Sequence, residues 1–134
     1  MIVDEISYRL EKPERDDVVV FKYPGNTKLF FIKRIIGLPG ETVEINGNEV
    51  TIINKEHPDG LKIDQPFVQN KADNTESIQL KDNEYFVMGD NRSASSDSRY
   101  WGPVKKDLLV GKVFLRLLPF NKIGVAPGKY NQAE

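Results

Sequence analysis

The sequence reads Leu29-Phe30-Phe31-Ile32-Lys33-Arg34-Ile35-Ile36-Gly37-Leu38-Pro39-Gly40, a β-branched and aromatic run that Gly and Pro close. The same layout recurs along the chain, because short apolar runs end at turn residues and do not repeat at the 3.6-residue spacing of helices. Further strands are predicted at 1–8, 17–21, 42–45, 50–53, 84–88 and 108–118, with a hairpin at Asn46-Gly47-Asn48. The pattern predicts a mainly β protein with at most one or two short helical turns, one of them at 104–108.

Length and composition predict a single domain. The chain has 134 residues, and 39% of them are hydrophobic, which is enough to form a core. Core strands are expected at about 1–53 and 82–120. Residues 54–81 are more polar and predict an excursion from the core with weak strands, whereas the Gly- and Pro-containing end at about 124–134 is expected to fray.

Charge and residue usage exclude several classes of function. Nineteen basic and twenty acidic residues give a net charge of −1, so no overall field favours nucleic acid as a partner. The chain has no cysteine, which excludes disulfides and zinc–thiolate sites, and neither a metal nor a cofactor is expected. It has no run of eighteen apolar residues and no leader pattern, so the chain by itself is expected to be soluble.

Two adjacent cations interrupt the quoted strand. Because successive side chains alternate, Lys33 and Arg34 point to opposite faces, and both faces are apolar. Arg34 stays charged on burial and needs a carboxylate, for which Asp90 and Asp97 are the candidates. A lysine can instead lose its proton: lowering its pKa by three units from about 10.4 costs about 4 kcal/mol. A neutral amine is a general base, and the alternative is a lysine that snorkels to water.

A polar cluster follows the apolar run at 85–88. It reads Gly89-Asp90-Asn91-Arg92-Ser93-Ala94-Ser95-Ser96-Asp97-Ser98-Arg99-Tyr100-Trp101-Gly102. A cluster at the end of a core strand is expected to be partly buried, and buried polar groups persist when they have partners. The segment therefore either braces a site or holds a sharp turn.

The chain closely resembles the bacterial type I signal peptidases in two motifs that occur in the family's order. These are Lys33-Arg34-Ile35-Ile36-Gly37-Leu38-Pro39-Gly40, and Gly89-Asp90-Asn91-Arg92 followed by Ser95, Asp97-Ser98-Arg99 and Gly102. The runs at 3–8, 17–24 and 85–88 also resemble the family's core strands. The resemblance implies a coiled antiparallel β-sheet core. It also implies a membrane-anchored serine endopeptidase, with its catalytic domain on the extracytoplasmic face of the bacterial membrane, that cleaves signal peptides from exported preproteins.

The resemblance also implies roles for individual residues. Lys33 matches the general base of a Ser/Lys dyad, and Ser95 matches the serine that orients the base amine. Asp97, Arg34 and Arg99 match the supporting ion-pair network. These roles agree with the chemistry, because a base lysine must be desolvated and aimed by a neutral hydroxyl. A carboxylate in that position would raise the lysine pKa.

Three apolar residues are implied to contact substrate. By similarity, Phe31, Ile32 and Val20 line the shallow pockets that accept the small residues of an Ala-x-Ala site. Core packing is the alternative for all three. The substrate is expected to lie extended along exposed strand edges.

The family's nucleophile has no counterpart in the sequence. It belongs to a Ser-Met-x-Pro motif before the first strand and after one or two membrane helices, and Ser7 lies within the strand that follows that motif. No nucleophile is therefore assigned. We expect a piece of a longer protein that lacks its membrane anchor and is inactive alone. Apolar surface near Ile2, Val20 and Ile32 can drive dimerisation.

Three other interpretations remain open. The self-cleaving repressors use a Ser/Lys dyad on a related β core, but they lack the Gly-Asp-Asn-Arg cluster, and no recognition helix or basic face is predicted here. A noncatalytic signal-peptidase-like paralogue would keep the scaffold without the nucleophile. A β-rich binding module would use Lys33 and the cluster for structure alone.

Overall fold

Ten strands lie within the residues that the computed structural model describes, which are 2–7, 12–68 and 75–116. In chain order they are β1 Ile2–Ser7, β2 Val18–Tyr23, β3 Asn26–Gly37, β4 Thr42–Asn46, β5 Glu49–Ile53, β6 Leu61–Lys62, β7 Thr75–Gln79, β8 Glu84–Met88, β9 Val104–Lys105 and β10 Leu109–Arg116. They pair antiparallel in a six-stranded sheet, β1-β10-β2-β3-β8-β9, and a four-stranded sheet, β6-β5-β4-β7. The predicted mainly β class is confirmed.

Helical structure among the described residues is limited to two short turns. The first, α1, spans Ser98–Trp101 inside the polar cluster, where no helix is predicted from the sequence. The second is a 3-10 turn at Lys106–Leu108, shorter than the helical turn expected at 104–108 because β9 takes the first two of those residues. None of these helices is long and apolar enough to cross a membrane.

The division between the sheets falls earlier in the chain than the expected division between core and excursion. The strands β4 and β5 are grouped by sequence with the core, but they pair with β6 and β7 in the second sheet. The hairpin between β4 and β5 forms where it is predicted, with Gly47 at a φ of 62°. The weak strands expected in the excursion are β6 and β7, whereas the tail at 124–134 lies outside the described residues.

Both faces of the second half of β3 are buried, which explains the continuous apolar run at its C-terminal end. Ile35 packs on one face, in a cluster with Val19 and Val87. Ile36 packs on the other face, in a cluster that includes residues of β4 and β5. The second sheet therefore covers one face of the first, and the same hydrophobic residues that form β4 and β5 hold the two sheets together.

The two sheets approach each other closely at Gly37. A Cβ atom at this position would lie 2.5 Å from Val43 Cγ2 and 2.9 Å from Leu80 Cδ1. Cβ atoms do not come so close to other carbons, and a packed interior has little room to relax. A larger residue would push β4 away from β3.

An ion pair fixes this junction. Arg15 donates from Nη1 to Glu41 Oε1 at 2.7 Å and from Nη2 to Oε2 at 2.8 Å. The same carboxylate accepts hydrogen bonds from the Leu38 backbone N–H and from Asn54 Nδ2, each at 2.8 Å. Burial alone raises the pKa of Glu41, but the bonds from Arg15, Asn54 and Leu38 outweigh it, so the pKa is lowered. The carboxylate is fully paired and joins β3, the following turn and the loop after β5.

Candidate active site

Lys33 is buried in the middle of the six-stranded sheet. Its side chain lies between those of Phe31 and Ile35 along β3, and Val19 is its partner on β2. Only 5% of the residue is exposed. Its Nζ atom lies 5.9 Å from the centroid of the Phe31 ring. The predicted apolar setting of Lys33 is thus observed, and burial of this kind favours the neutral amine.

The polar cluster begins beside Lys33 because of the strand register. β3 pairs with β8 at Arg34↔Met88 and Ile35↔Val87, so Gly89, the next residue after β8, adjoins the position of Lys33. Among the described residues, none pairs with β3 on this side before Arg34. Lys33 therefore lies at the point on β3 where pairing with β8 ends and the strand edge becomes open.

Arg34 forms its ion pair with Asp90 and not with Asp97. Its Nε donates to Asp90 Oδ1 at 3.0 Å and its Nη2 to Oδ2 at 2.9 Å. Nη1 donates to the backbone oxygen of Asp16 at 3.0 Å. The Phe67 ring, from the polar excursion, lies over the guanidinium at 4.1 Å. Of the two predicted counter-charges, Asp90 is the one used, because it directly follows the strand that pairs with Arg34.

Asp97 is the most heavily bonded carboxylate of the cluster. Arg99 donates to it from Nε and Nη2, both at 2.8 Å, and from its backbone N–H at 3.1 Å. Gly89 donates its backbone N–H at 3.0 Å. Both side chains of the pair are essentially inaccessible to water, with 1% and 0% exposed. Asp97 thus caps α1 and ties it to the end of β8.

The remaining contacts of α1 fix its orientation on the sheet. Ser98 Oγ accepts the Val87 backbone N–H at 3.0 Å. Trp101 Nε1 donates to Ser96 Oγ at 3.0 Å, and the indole packs edge-on against Phe31 with the ring centroids 6.2 Å apart. The short helix therefore supports the residue that neighbours Lys33 along β3.

Arg92 has incomplete hydrogen bonding, unlike Arg99 in the cluster and Arg34 on β3. Only 1% of it is exposed. Its Nε donates to the backbone oxygen of Gly89 at 2.9 Å, but Nη1 and Nη2 are buried without a hydrogen-bond partner. Burial, with a smaller contribution from the charge of Arg99, lowers the pKa of Arg92 to about 10, although the charges of Asp90 and Asp97 act in the opposite direction. The guanidinium is still protonated at neutral pH.

Ser95 is buried, as its predicted role requires, but its hydroxyl makes no hydrogen bond to the part of the chain that the structure describes. The residue is 4% exposed, and Oγ has no partner among the described residues. The predicted bond from Ser95 to the Lys33 amine is therefore not formed in this arrangement. Catalytic hydrogen bonds are often long in unliganded sites and tighten when substrate binds. The orienting role of Ser95 stays a prediction.

The three residues predicted to contact substrate lie on two faces of the sheet. Val20 and Ile32 are cross-strand partners and point to the same face. Phe31 points to the other face with Lys33, in an aromatic group with Tyr23 and Trp101. A peptide on the open edge of β3 would meet both faces through alternate side chains. The pocket-lining role of all three stays a prediction.

Two important residues have no role predicted from the sequence. Arg92 lies in the quoted motif. The sequence could have indicated its special position, because the motif and β3 together contain three arginines, Arg34 included, but only two aspartates to pair with them. Phe67 contacts Arg34 across a long separation in sequence, which no local pattern indicates. Among the described residues, no group of three or more His, Asp or Glu side chains is arranged to hold a metal ion.

Comparison with known proteins agrees with the geometry. The family model described as signal peptidase, peptidase S26, matches residues 1–118. A probable signal peptidase I-2 of Synechocystis sp. is 37% identical over 131 residues, covering 93% of this chain and 57% of the relative. A signal peptidase I of Leptolyngbya laminosa is 34% identical over 134 residues, covering 92% of this chain and 62% of the relative. The chain thus spans about three fifths of the length of these relatives.

A solved structure is similar in three dimensions as well. The crystal structure of a signal peptidase I from Enterococcus faecalis V583 superposes with a TM-score of 0.65 at 30% sequence identity. The match covers 78% of this chain and 98% of that one. The two-sheet fold described above is therefore similar to that of a signal peptidase I.

Proposed function

Because the chain belongs to the signal peptidase family, peptidase S26, we propose that it is the part of a serine endopeptidase that carries the general base, Lys33. The proposed reaction is the removal of signal peptides from exported preproteins after Ala-x-Ala-like sites. The observation that carries the proposal is the placement of Lys33, which is 5% exposed in an apolar setting at the start of an open sheet edge.

The chemistry follows from that placement. Desolvation lowers the pKa of an amine, so the neutral form is more populated near neutral pH and can take the proton of an attacking serine hydroxyl and later give it to the leaving amine. Ser95 is proposed to orient the amine when substrate is bound. Asp97 and Arg99, together with Arg34, would fix the backbone around Lys33, so the base keeps its position without a histidine.

The open edge of β3 is proposed to hold the substrate. An extended peptide can add to a sheet edge through main-chain hydrogen bonds, while pockets for alternate side chains give specificity. Exposed apolar side chains lie along the same strand, with Leu29 47% and Phe30 57% exposed. A peptide paired there would run past Ile32 and bring its scissile bond to Lys33.

The nucleophile is proposed to come from a Ser-Met-x-Pro segment of the whole protein, since that motif does not occur in these 134 residues. The parent is proposed to be anchored in the bacterial membrane with this domain on the extracytoplasmic face. The 134-residue chain alone is then expected not to cleave a signal peptide. Dimerisation through apolar surface near Val20 and Ile32 is a separate expectation, checked by sedimentation velocity.

Activity tests this proposal. A chain extended at its N-terminus by a Ser-Met-x-Pro segment should cleave a fluorogenic leader peptide, and Lys33→Ala in that chain should abolish cleavage. Lys62→Ala is the matched control, because Lys62 is an exposed lysine of the second sheet, with 71% of its side chain exposed. Unchanged rates in Lys33→Ala would remove Lys33 from the mechanism. Turnover by the 134-residue chain alone would show that a serine within it is the nucleophile.

Stability distinguishes the enzyme from a binding module in which Lys33 is structural. A buried base is held at a cost, so Lys33→Met should raise the free energy of unfolding. A lysine that contributes packing or a surface contact should give no change or a loss. Urea denaturation of the two chains measures the difference, and a clear loss of stability in Lys33→Met would favour the structural role.

A further inference from the structure

The buried cations beside Lys33 do not balance the buried carboxylates. Arg34 pairs with Asp90, and Arg99 pairs with Asp97, so these two pairs are each neutral. Arg92 is buried as well, and the charges of Asp90 and Asp97 act on it, but among the described residues its side chain forms no ion pair with either carboxylate. Its terminal nitrogens have no hydrogen-bond partner, and each of these atoms is inaccessible to water.

A buried arginine without an ion pair destabilises a fold unless another group offsets the loss of hydration. A buried guanidinium with unpaired N–H groups loses its hydration without regaining hydrogen bonds. Native structures contain few such groups, and those that persist call for an explanation such as a catalytic role. A hydrophobic side chain at the position of Arg92 would avoid the cost, so the charge itself is the feature to explain.

The backbone places this charge close to Lys33. Gly89 adjoins Lys33 across the sheet, and neighbouring strands lie about 4.8 Å apart. Arg92 Nε is 2.9 Å from the Gly89 oxygen. The guanidinium is thus separated from the Lys33 backbone by one strand spacing and one hydrogen bond, on the order of 10 Å.

We propose that Arg92 is a positioning residue for the base: its uncompensated positive charge disfavours the ammonium form of Lys33 and so keeps the amine neutral. This inference rests on the proposed function of Lys33 as general base. At an effective dielectric constant of about 20, a unit charge about 10 Å from an amine shifts the pKa of that amine by about one unit. The direction is downward, because a like charge disfavours the protonated amine.

Other charged groups near Lys33 do not replace this effect. Among the described residues, the titratable groups on the elements around Lys33 are Asp16 and Asp17 before β2, Lys22 and Tyr23 on β2, Lys28 and Arg34 on β3, Glu76 on β7, Glu84 and Tyr85 on β8, Asp90, Arg92 and Asp97 in the cluster, Arg99 and Tyr100 on α1, and Lys112 on β10. Lys112 pairs with Asp17 at 3.0 Å, and Lys22 is exposed. Burial raises the pKa of Asp16 and of Glu76, and neighbouring arginine charges oppose the rise, Arg34 and Arg15 at Asp16 and Arg99 at Glu76.

Titration of the Lys33 amine in the 134-residue chain tests the proposal without requiring activity. Carbon-13 NMR of the lysine Cε atoms, with Lys33→Met to assign the signal, gives the pKa of Lys33. Arg92→Met and Arg92→Gln should each raise that pKa by about one unit. Lys62→Met removes one exposed positive charge and should leave the Lys33 pKa unchanged, because exposed charges are screened by water and salt.

The two Arg92 variants separate charge from geometry. Gln can still donate a hydrogen bond to the Gly89 oxygen but carries no charge. If the Lys33 pKa rises in Arg92→Met and returns to the wild-type value in Arg92→Gln, the hydrogen bond and not the charge acts, and the proposal is wrong. An unchanged Lys33 pKa in both folded variants also overturns it. A wild-type Lys33 pKa near 10.4 overturns both this proposal and the proposed base, whereas a low wild-type value with unmoved variants overturns this proposal alone.

Discussion

Two buried ionic networks flank β3, and they differ in how completely their polar groups are paired. The Glu41 network, made by Glu41 with Arg15, Leu38 and Asn54, satisfies both carboxylate oxygens twice. The cluster network, made by the residues of 89–99 with Arg34, leaves Arg92 Nη1 and Nη2 and Ser95 Oγ without hydrogen bonds. The first network lies at the junction of the sheets, and the second lies beside Lys33.

This difference in pairing distinguishes a network that only stabilises the fold from one that belongs to a functional site. A fully paired network stabilises a fold and fixes one geometry, so the Glu41 network needs no role beyond joining the sheets. Unpaired buried groups reduce stability, and they collect at sites where the chemistry requires them. Both networks contain bidentate Arg–carboxylate pairs, so the ion pairs alone do not identify the site. The buried polar atoms without hydrogen bonds are the feature that distinguishes the site.

The largest loss of stability is expected when the carboxylate of Asp97 is removed from the cluster network. The matching change in the Glu41 network is the removal of the Glu41 carboxylate. Asp97→Asn leaves Arg99 without its ion pair in a site that water does not reach. Breaking a buried pair in this way costs about 3–5 kcal/mol. Urea denaturation should show this loss. Asp107→Asn, at an exposed aspartate, should stay within about 0.5 kcal/mol of wild type. An equally small change in Asp97→Asn would contradict the description of the cluster as buried and interdependent.

A smaller loss is expected when the Glu41 network is broken. Glu41→Gln removes the charge that Arg15 and Asn54 bind, and Arg15 retains partial access to water, with 22% of its side chain exposed. A cost of about 2–3 kcal/mol is expected, measured by the same denaturation. Glu44→Gln is the control, because Glu44 is an exposed glutamate on the same strand, β4. If both variants lose the same small amount, the Glu41 network does not hold the sheets together.

The same variant predicts a pH dependence. The pKa of Glu41 is lowered in the folded chain, so its contribution is fully present above the unfolded value of about 4.3. It is lost as the pH falls through the lower folded value. The difference in unfolding free energy between wild type and Glu41→Gln should therefore shrink on acidification below about pH 4.3. Asp16 and Glu76, whose pKa values are raised, are present in both chains, so their contributions cancel when the two unfolding free energies are subtracted. A constant difference down to pH 2 would contradict the shift.

The smallest effect is expected at Ser95, with Ser98 as the contrasting serine. Ser98→Ala removes the acceptor of the Val87 N–H and should cost about 1–3 kcal/mol. Ser95→Ala removes a buried hydroxyl that has no partner and should be neutral or slightly stabilising. Thermal unfolding measures both. A destabilisation of Ser95→Ala as large as that of Ser98→Ala would show that Ser95 is structural.

The sequence predicted the strands well, because each apolar run is bounded by its own turn residues. The run at 29–36 extends to Asn26–Gly37, and 84–88 is observed as Glu84–Met88. Alternation also predicted the apolar setting of Lys33, with snorkelling to water as the alternative, and the permanent charge of a guanidinium predicted that Arg34 needs a carboxylate. These features depend on local pattern, which a single sequence carries.

Features that depend on contacts across the fold were not predicted. The grouping of β4 and β5 in a second sheet depends on how closely Gly37 allows Val43 to approach. The contact of Phe67 with Arg34 joins distant segments, and α1 forms because Asp97 caps it in a stretch with few helix-favouring residues. The unpaired state of Arg92 is visible only when the partners of its two neighbours have been assigned in three dimensions.

The pKa of the Lys33 amine tests the central claim most directly. Carbon-13 NMR titration of the 134-residue chain measures it without the nucleophile and without substrate. If Lys33 is a desolvated general base, its pKa lies at about 8 or below, at least two units under the usual value of about 10.4. A value of about 10 or above would mean that Lys33 is an ordinary charged lysine, and the proposed role as general base would be wrong.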